Sequence, residues 1–291
     1  MSKGLAKFRD YSELIKLKLS ILVWLSSLVG FFLAPGSDFR LFLFLPFSVG
    51  SLLVIGGANA FNEIFEVNQD ALMSRTSRRP LPSGRMKFWE GFAAASLFVF
   101  SGLMILGFAV NGLTCFLAFS AFVLYVFVYT PAKKMGPWCI AVGAIPGALP
   151  AMMGPAAAQN SITPLGWLLF GIVFFWQFPH FFAIAWLAKE DYEKAGFKIF
   201  PVPQNERLVA YEILLCSCIL VALTPLLTFT RATGSSYFLG SLILSGLLFV
   251  YALRFWVKLS RSIAGELMRA ALVYLPFLFA LMNFRQGWAL K

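Results

Sequence analysis

Charged residues are scarce in this chain of 291 residues. Asp, Glu, Lys and Arg together make up 13% of it, whereas hydrophobic residues make up 59%. A soluble domain carries roughly 25% charged residues, so these charges are too few to cover a surface that faces water. The composition therefore predicts a membrane protein, and the length fits a single transmembrane domain over residues 1–291 rather than several domains.

Histidine and cysteine are also rare. The chain has one histidine, His180, and four cysteines. All four cysteines lie in apolar runs, and the C-x-C pair at 216–218 has no second pair nearby, so the spacing of a zinc site is missing. We interpret the cysteines as small buried hydrophobic residues.

Acidic residues are about half as frequent as basic ones, 13 against 24, which gives a net charge of +11. In a soluble protein such a charge suggests a nucleic-acid partner. In a membrane protein the retention of basic loops on the cytoplasmic side explains it more simply. We therefore expect the lipid bilayer as a partner, and no nucleic acid.

Long apolar stretches dominate what is present. A membrane helix needs about 20 mostly apolar residues, and nine stretches qualify, which predicts an all-α, polytopic bundle of nine transmembrane helices. The third and fourth are separated only by the turn signal Asn111-Gly112. The predicted stretches are 14–34, 41–62, 88–110, 112–130, 138–158, 164–187, 209–229, 236–257 and 270–290.

The distribution of charge predicts the orientation. With the N-terminus inside, 20 of the 24 Lys and Arg residues fall on the cytoplasmic side of a nine-helix bundle. We therefore expect a bacterial inner-membrane protein with a cytoplasmic N-terminus and a periplasmic C-terminus. Every acidic residue except Asp38 falls on the same side, which predicts that the chemistry lies in the loops after helices 2, 4 and 6.

Three polar residues follow one another at four-residue spacing where the second helix ends. Asn62, Glu66 and Asp70 would line one face of a continuing helix. The two carboxylates repel each other there, and a divalent cation would turn that repulsion into coordination. Oxygen ligands suit Mg²⁺, which substrate phosphates usually complete. The alternative is a solvated helix end with scattered acids.

A basic loop follows directly, with the run R-T-S-R-R-P-L-P-S-G-R at 75–85. Guanidinium groups bind phosphate oxygens in a bidentate manner, so acids for a metal followed by arginines for phosphate predict a diphosphate site. A plain positive-inside loop would explain the charge, but neither the acids nor the prolines.

These two patterns resemble a known family. N-x-x-x-E-x-x-x-D followed by R-T-x-x-R-P-L-P-S-G is similar to the first signature of the UbiA-type intramembrane prenyltransferases, which usually have Asp at the position of Glu66. The run P-A-K-K at 131–134 resembles the family's basic loop. The resemblance implies that four side chains contact phosphate, namely Arg75, Arg79, Lys133 and Lys134.

A second motif follows the sixth helix. W-Q-F-P-H-F at 176–181 and K-E-D-Y-x-x-A-G at 189–196 resemble the heme-farnesylating branch of the family more than the quinone branch, which has D-x-x-x-D here. This resemblance implies that Asp191 completes a metal site with Asn62, Glu66 and Asp70. It also implies that the substrates contact Trp176, Glu190 and Tyr192. A salt bridge between Glu190 and Lys194 is the alternative role for Glu190.

His180 admits several roles. A lone histidine among aromatic residues is often a hydrogen-bonded core residue, but an ionisable group within a membrane is a functional hypothesis by default. Its imidazole can ligate heme iron, orient a porphyrin or activate water. We expect His180 to act in catalysis on the heme side of the site, together with the metal-binding residues.

The resemblance implies a reaction in which a farnesyl group passes from farnesyl diphosphate to the vinyl group of heme B. Water is added, and heme O and diphosphate are formed. Heme A synthase or a terminal-oxidase assembly would be a partner. Two alternatives remain open, a prenyltransferase acting on an aromatic quinone precursor and a non-catalytic carrier of heme or isoprenoid. Transporters often show broken helices at the bilayer midplane, whereas these charges cluster at one face, which favours an enzyme.

Overall fold

The computed structural model describes residues 3–35, 41–199 and 206–283, and these ranges contain helices and no strand. The predicted all-α fold is confirmed. The α-helices are α1 Lys3–Leu14, α2 Leu17–Leu33, α3 Leu41–Phe65, α4 Val67–Leu72, α5 Phe88–Ala109, α6 Gly112–Val123, α7 Thr130–Ala132, α8 Cys139–Gln159, α9 Pro164–Leu187, α10 Lys189–Lys194, α11 Glu206–Leu223, α12 Ser235–Val257 and α13 Arg261–Asn283.

The helices account for the predicted membrane spans. In the described ranges eight are long and apolar enough to cross a membrane, and a ninth span results if the bent pair at 4–33 is counted as one. The last helix begins at Arg261, nine residues before the predicted start. Its first turns accommodate charge because Glu266 pairs with Arg254 of α12 at 2.8 Å. Asp38, Arg40, Arg285, Lys291 and the predicted end at 290 lie outside the described residues.

The first span is broken where a continuous helix was predicted over 14–34. The chain bends by 54° between α1 and α2, and Lys16 at the break has left-handed backbone angles, φ 49° and ψ 53°. Such a conformation costs a residue with a side chain roughly 1–2 kcal/mol. Ion pairs offset this cost by fastening α1 to the loop after α4. Arg85 bonds to Asp10 at 2.7 Å and also to Glu13.

The fourth span contains a second irregularity. Between α6 and α7 the residues Leu124–Tyr129 form a π-helix. A π-turn adds one residue to the helical turn and is found frequently at functional sites. It lies directly before Thr130 and Lys133, both of which contribute to the polar site described below.

The prediction that the cysteines are buried holds for two of them. Cys139 and Cys216 are buried and Cys115 is partly buried, but Cys218 is exposed. Cys218 lies in the part of α11 from Ile213 to Leu223, where every residue except Ser217 is apolar. An apolar residue on a membrane helix can face lipid as well as the core, so the apolar run alone does not predict burial.

Helix α8 packs against α2 at a distance that only glycine permits. A Cβ atom at Gly154 would lie 2.2 Å from the carbonyl oxygen of Ser27 and 2.3 Å from the amide nitrogen of Phe31. Small residues at such contacts let membrane helices approach closely. This contact places α8 at the centre of the bundle, where most of its residues are buried.

We expect Gly154→Ala to lower the thermal stability of the purified protein, because the added methyl group meets backbone atoms that cannot rotate away. The matched control is Gly246→Ala in α12, where a Cβ would meet nothing within 4 Å. That control should be neutral or slightly stabilising, since Ala exceeds Gly in helix propensity by about 1 kcal/mol. Equal melting temperatures for the two variants would contradict the close contact.

Candidate active site

Three loops meet at one end of the bundle. They follow the second, fourth and sixth predicted spans. The hydroxyl of Ser74 donates to the carboxylate of Asp191 at 2.8 and 3.1 Å, and the amide of Lys198 donates to the carbonyl of Lys133 at 2.8 Å. The loops that carry the two sequence motifs and the basic P-A-K-K run are therefore tied together.

Asn62, Glu66 and Asp70 keep their four-residue register through a small break. Helix α3 ends at Phe65, and Glu66 is the N-cap of α4. The backbone hydrogen bonds nevertheless continue, from Glu66 N to Asn62 O at 3.1 Å and from Asp70 N to Glu66 O at 2.7 Å. All three residues are at least 96% buried, so they are not a solvated helix end.

Each of these three side chains is bonded to a basic residue. Lys16 Nζ donates to Asn62 Oδ1 at 2.5 Å, and Arg79 Nη1 donates to Asp70 Oδ2 at 2.7 Å. Lys133 Nζ lies 2.7 Å from Glu66 Oε1 and donates to Glu66 Oε2 at 3.0 Å. Buried carboxylates are tolerated when they are paired and hydrogen-bonded, and these bonds form a buried polar cluster.

Lys133 is charged in this cluster. Burial lowers the pKa of Lys133, but the neighbouring Glu66 carboxylate more than compensates, so the pKa is raised above its ordinary value. The side chain also lies over the ring of Tyr129, with Nζ 4.8 Å from the ring centroid. Lys133 therefore stays protonated throughout the physiological pH range.

The four predicted phosphate contacts divide into two pairs. Arg79 and Lys133 reach the buried carboxylates, whereas Arg75 and Lys134 are exposed on the same loops. Exposed long side chains can still turn towards a ligand, but the polar cluster is built without them.

The residues of the second motif have different surroundings. Asp191 is joined to the first motif through Ser74, and the ring of Tyr192 packs edge-on against Phe197 at 6.1 Å. Glu190 is exposed, and within the described ranges it forms no ion pair with Lys194. The proposed salt bridge is therefore absent from this part of the chain.

A cavity of about 290 Å³ lies in the bundle next to the polar cluster. Tyr129 joins the two, because its ring lines the cavity and its face lies over Lys133. Apolar residues of α2, α3, α6, α8, α9 and α13 form most of the wall. The polar residues that line the cavity are Ser26, Ser51, Asn59, Gln177 and His180, together with the tyrosines at 125 and 129 and Trp176.

His180 and Trp176 lie on this cavity wall as a stacked pair. Their rings are 4.9 Å apart and nearly parallel, at 14°. The indole of Trp176 is fixed by a 2.7 Å bond to the carbonyl of Ala271. His180 Nδ1 is buried and has no hydrogen-bond partner among the described residues. A core histidine usually has such a partner, so its absence favours a role in ligand binding.

Several polar residues of the site were missed in the sequence. Asn62 Nδ2 donates to Thr130 Oγ1 at 2.9 Å. Tyr125 OH donates to Asn59 Oδ1 at 3.2 Å, and Asn59 Nδ2 donates to Ser20 Oγ at 2.9 Å. Lys16 was counted only as a topology charge, although it lies inside the predicted span 14–34. An ionisable residue within a membrane span is by default a functional candidate, and that rule would have found it.

Glu63 was also missed. It is completely buried, and its Oε1 accepts a bond of 3.3 Å from the amide of Leu81. Its Oε2 has no hydrogen-bond partner within the described ranges. Because Glu63 follows Asn62 directly, it lies outside the four-residue spacing that marked the first motif.

The donor set fits Mg²⁺ but does not form a complete metal cage. No group of three or more His, Cys, Asp or Glu side chains in the described part of the chain is arranged to hold a metal ion. Mg²⁺ is usually bound by only one or two carboxylates together with substrate phosphates. Glu66 Oε1 is buried, accepts no well-aligned hydrogen bond and lies 2.7 Å from the ammonium of Lys133, so a metal ion at this oxygen would take the place that Lys133 has here.

The fold and the site define an intramembrane prenyltransferase. The model of the UbiA prenyltransferase family matches residues 23–281, and the chain belongs to this family. Among its relatives, the protoheme IX farnesyltransferase of Christiangramia forsetii is 40% identical over 96% of this chain and 95% of its own length. That of Koribacter versatilis is 40% identical over 94% and 92%. The resemblance predicted from the motifs is confirmed.

Solved structures agree on the fold. A digeranylgeranylglyceryl phosphate synthase superimposes with a TM-score of 0.77 at 18% identity, covering 95% of this chain and 97% of its own. A UbiA homologue from Archaeoglobus fulgidus bound to GPP and Mg²⁺ has a TM-score of 0.66 at 18% identity, covering 94% and 99%.

We expect Lys133→Met to destabilise the protein strongly, whereas Lys134→Met leaves its melting temperature unchanged. Removing one partner of a buried ion pair costs about 3–5 kcal/mol because the other charge stays buried, and Lys134 is exposed. Thermal unfolding in one detergent measures both. If the double variant Lys133→Met/Glu66→Gln recovers none of the lost stability, the buried pair is not the cause.

Proposed function

We propose that this chain transfers the farnesyl group of farnesyl diphosphate to the vinyl group of heme B, with addition of water, to give heme O and diphosphate. The observation that carries the proposal is the continuity between the polar cluster and the cavity through Tyr129. One end is suited to a diphosphate, and the other is aromatic, apolar and contains an unpartnered histidine. The activity named for the relatives supports the same reaction.

The chain's cations stabilise the leaving group. Ionisation of an allylic diphosphate separates a carbocation from an anion, and fixed positive charges at the place where the anion develops lower the barrier. Arg79 and Lys133 are held there by Asp70 and Glu66. Arg75 and Lys134, on the same loops, complete the phosphate contacts.

Asn62, Glu66, Asp70 and Asp191 would hold Mg²⁺, whose charge would neutralise that of a diphosphate leaving group. Ser74 supports the inclusion of Asp191, because it links this carboxylate to the loop that carries Asp70 and Arg79. The solved relatives from Archaeoglobus fulgidus bound to GPP or DMAPP with Mg²⁺ are consistent with this choice of metal.

The aromatic wall shelters the carbocation from water. Tyr125 and Tyr129 stack at 5.6 Å in the π-helix and border the cavity, and aromatic faces attract cations. Since sites for drug-sized ligands measure about 300–1,000 Å³, the cavity of about 290 Å³ must widen to hold both substrates.

Heme B occupies the part of the cavity at His180 and Trp176. The indole is fixed by Ala271, and its parallel stacking fixes the imidazole plane, so His180 presents an unpartnered nitrogen in a defined orientation. In this position His180 contacts the heme and aligns its vinyl group. A small aromatic quinone precursor has no iron and needs no iron ligand. Glu190 and Tyr192 contribute further substrate contacts from the neighbouring loop.

The protein is a multi-pass membrane protein, and we place it in the bacterial inner membrane. The N-terminus and the catalytic loops face the cytoplasm, and the C-terminus faces the periplasm. The asymmetry of basic residues supports this orientation. The meeting of the three motif loops at one end supports their lying on the same side of the membrane. Heme A synthase or a terminal-oxidase assembly would receive the product.

We expect cells expressing the chain to accumulate heme O, detectable by mass spectrometry of extracted hemes. Asp70→Asn should lower heme O at least about 100-fold, as expected for the loss of a group that acts on the transition state. His180→Ala should abolish heme O while leaving binding of farnesyl diphosphate intact. Glu193→Gln, an exposed acid on α10, is the control.

Prenylation of 4-hydroxybenzoate instead of heme B by the purified protein would identify the quinone branch.

We expect the proposed orientation to appear in cysteine labelling of a variant that lacks the four native cysteines. Asn160 and Lys134 are exposed in loops at the two ends of α8. A membrane-impermeant maleimide should label Asn160→Cys in intact spheroplasts, and Lys134→Cys only after lysis. The reverse pattern would invert the topology.

A further inference from the structure

We propose that Lys16 is a further binding residue for the diphosphate of the prenyl donor, reaching it from the first helix break. This inference rests on the proposed function, because it assigns a contact to the same substrate. The phosphate contacts implied by the sequence motifs all lie between residues 75 and 134. Lys16 adds one from the N-terminal part of the chain.

The break in the first span positions this side chain. Lys16 lies between α1 and α2 and is the N-cap of α2. Its amide donates to the carbonyl of Glu13 at 3.0 Å, and its carbonyl accepts from the amide of Ser20 at 3.0 Å. Its left-handed backbone conformation turns it out of both helices. The ammonium group then reaches Asn62 Oδ1 at 2.5 Å.

The segment that carries Lys16 is anchored to the arginine loop. Arg85 bonds to Asp10 and Glu13 of α1 and to the carbonyl of Arg78. Lys7 and Tyr11 both bond to Glu90 at the start of α5. These contacts hold the break between α1 and α2 beside the arginine loop at 75–85.

Lys16 differs from the other cations of the cluster in its partner. Arg79 and Lys133 each bond to a carboxylate, whereas Lys16 bonds to a neutral amide and forms no ion pair within the described ranges. The carboxylates of Glu63, Glu66 and Asp70 act on it only through space, without forming an ion pair with it. A partly buried ammonium without a direct counter-ion is costly, and an anion bound here would supply one.

The chemistry of the ammonium fits a diphosphate oxygen. A lysine has three N–H donors, and the bond to Asn62 uses one of them. The others can donate to a phosphate oxygen while the bond to Asn62 is kept. Arg79, Lys133 and Lys16 would then bind the diphosphate leaving group from three different segments of the chain.

Binding of inorganic diphosphate with Mg²⁺ to the purified full-length protein, measured by calorimetry, tests this inference. Lys16→Gln keeps a donor for Asn62 but removes the charge, and should weaken binding at least about tenfold, as for a lost charge-assisted contact. Lys16→Arg should restore most of it. Lys18→Met, an exposed lysine two residues further along, should bind like the parent protein.

Melting temperatures without ligand separate binding from folding. If Lys16→Gln has the melting temperature of the parent protein and binds diphosphate equally well, Lys16 only supports Asn62 and the inference is wrong. A variant that does not fold is replaced by Lys16→Met in the same assay. If the parent protein binds diphosphate through Lys16 but farnesylates no heme, the proposed function fails while the contact stands.

Discussion

The site depends on carboxylates buried in pairs with cations from elsewhere in the chain. Glu66 and Asp70 lie at the end of a membrane span, where an unpaired charge is costly. Lys133 and Arg79 make their burial possible. The pairing serves two purposes at once, since it stabilises the acids and holds positive charge in a fixed place. A binding site for an anion and a metal is therefore built from groups that first satisfy each other.

Irregular backbone positions these charges. The left-handed residue at the first break turns Lys16 towards Asn62, and the π-helix in the fourth span precedes Thr130 and Lys133. Regular helices would distribute these side chains according to the 3.6-residue repeat alone. Both departures from helical geometry lie beside the polar cluster. Asn62 links them, because it is hydrogen-bonded to Lys16 at the first break and to Thr130 after the π-helix.

The sequence predicted the bundle well because hydropathy and helix length are local properties. Nine spans, the turn at Asn111 and the register of Asn62, Glu66 and Asp70 all follow from short windows of sequence. The partners of those residues do not, because Lys16 and Lys133 are brought to them by tertiary packing. Glu63 lies within the first motif but outside its four-residue spacing, and Tyr125 lies in an apolar run, so only the structure assigns them to the site. Cys218 shows the same limit, since hydropathy does not distinguish a lipid-facing residue from a core residue.

The tie between Lys198 and Lys133 has a consequence for biogenesis. The loops after the second, fourth and sixth spans are joined only when the chain has been made as far as residue 198. An inserted fragment that stops before Lys133 exposes Glu66 without its ammonium partner, and one that stops before Asp191 leaves Ser74 unbonded. The polar site would therefore stay incomplete until the sixth span and the loop after it have been made. These few hydrogen bonds couple assembly of the site to translation as far as Lys198, before the last three spans have been made.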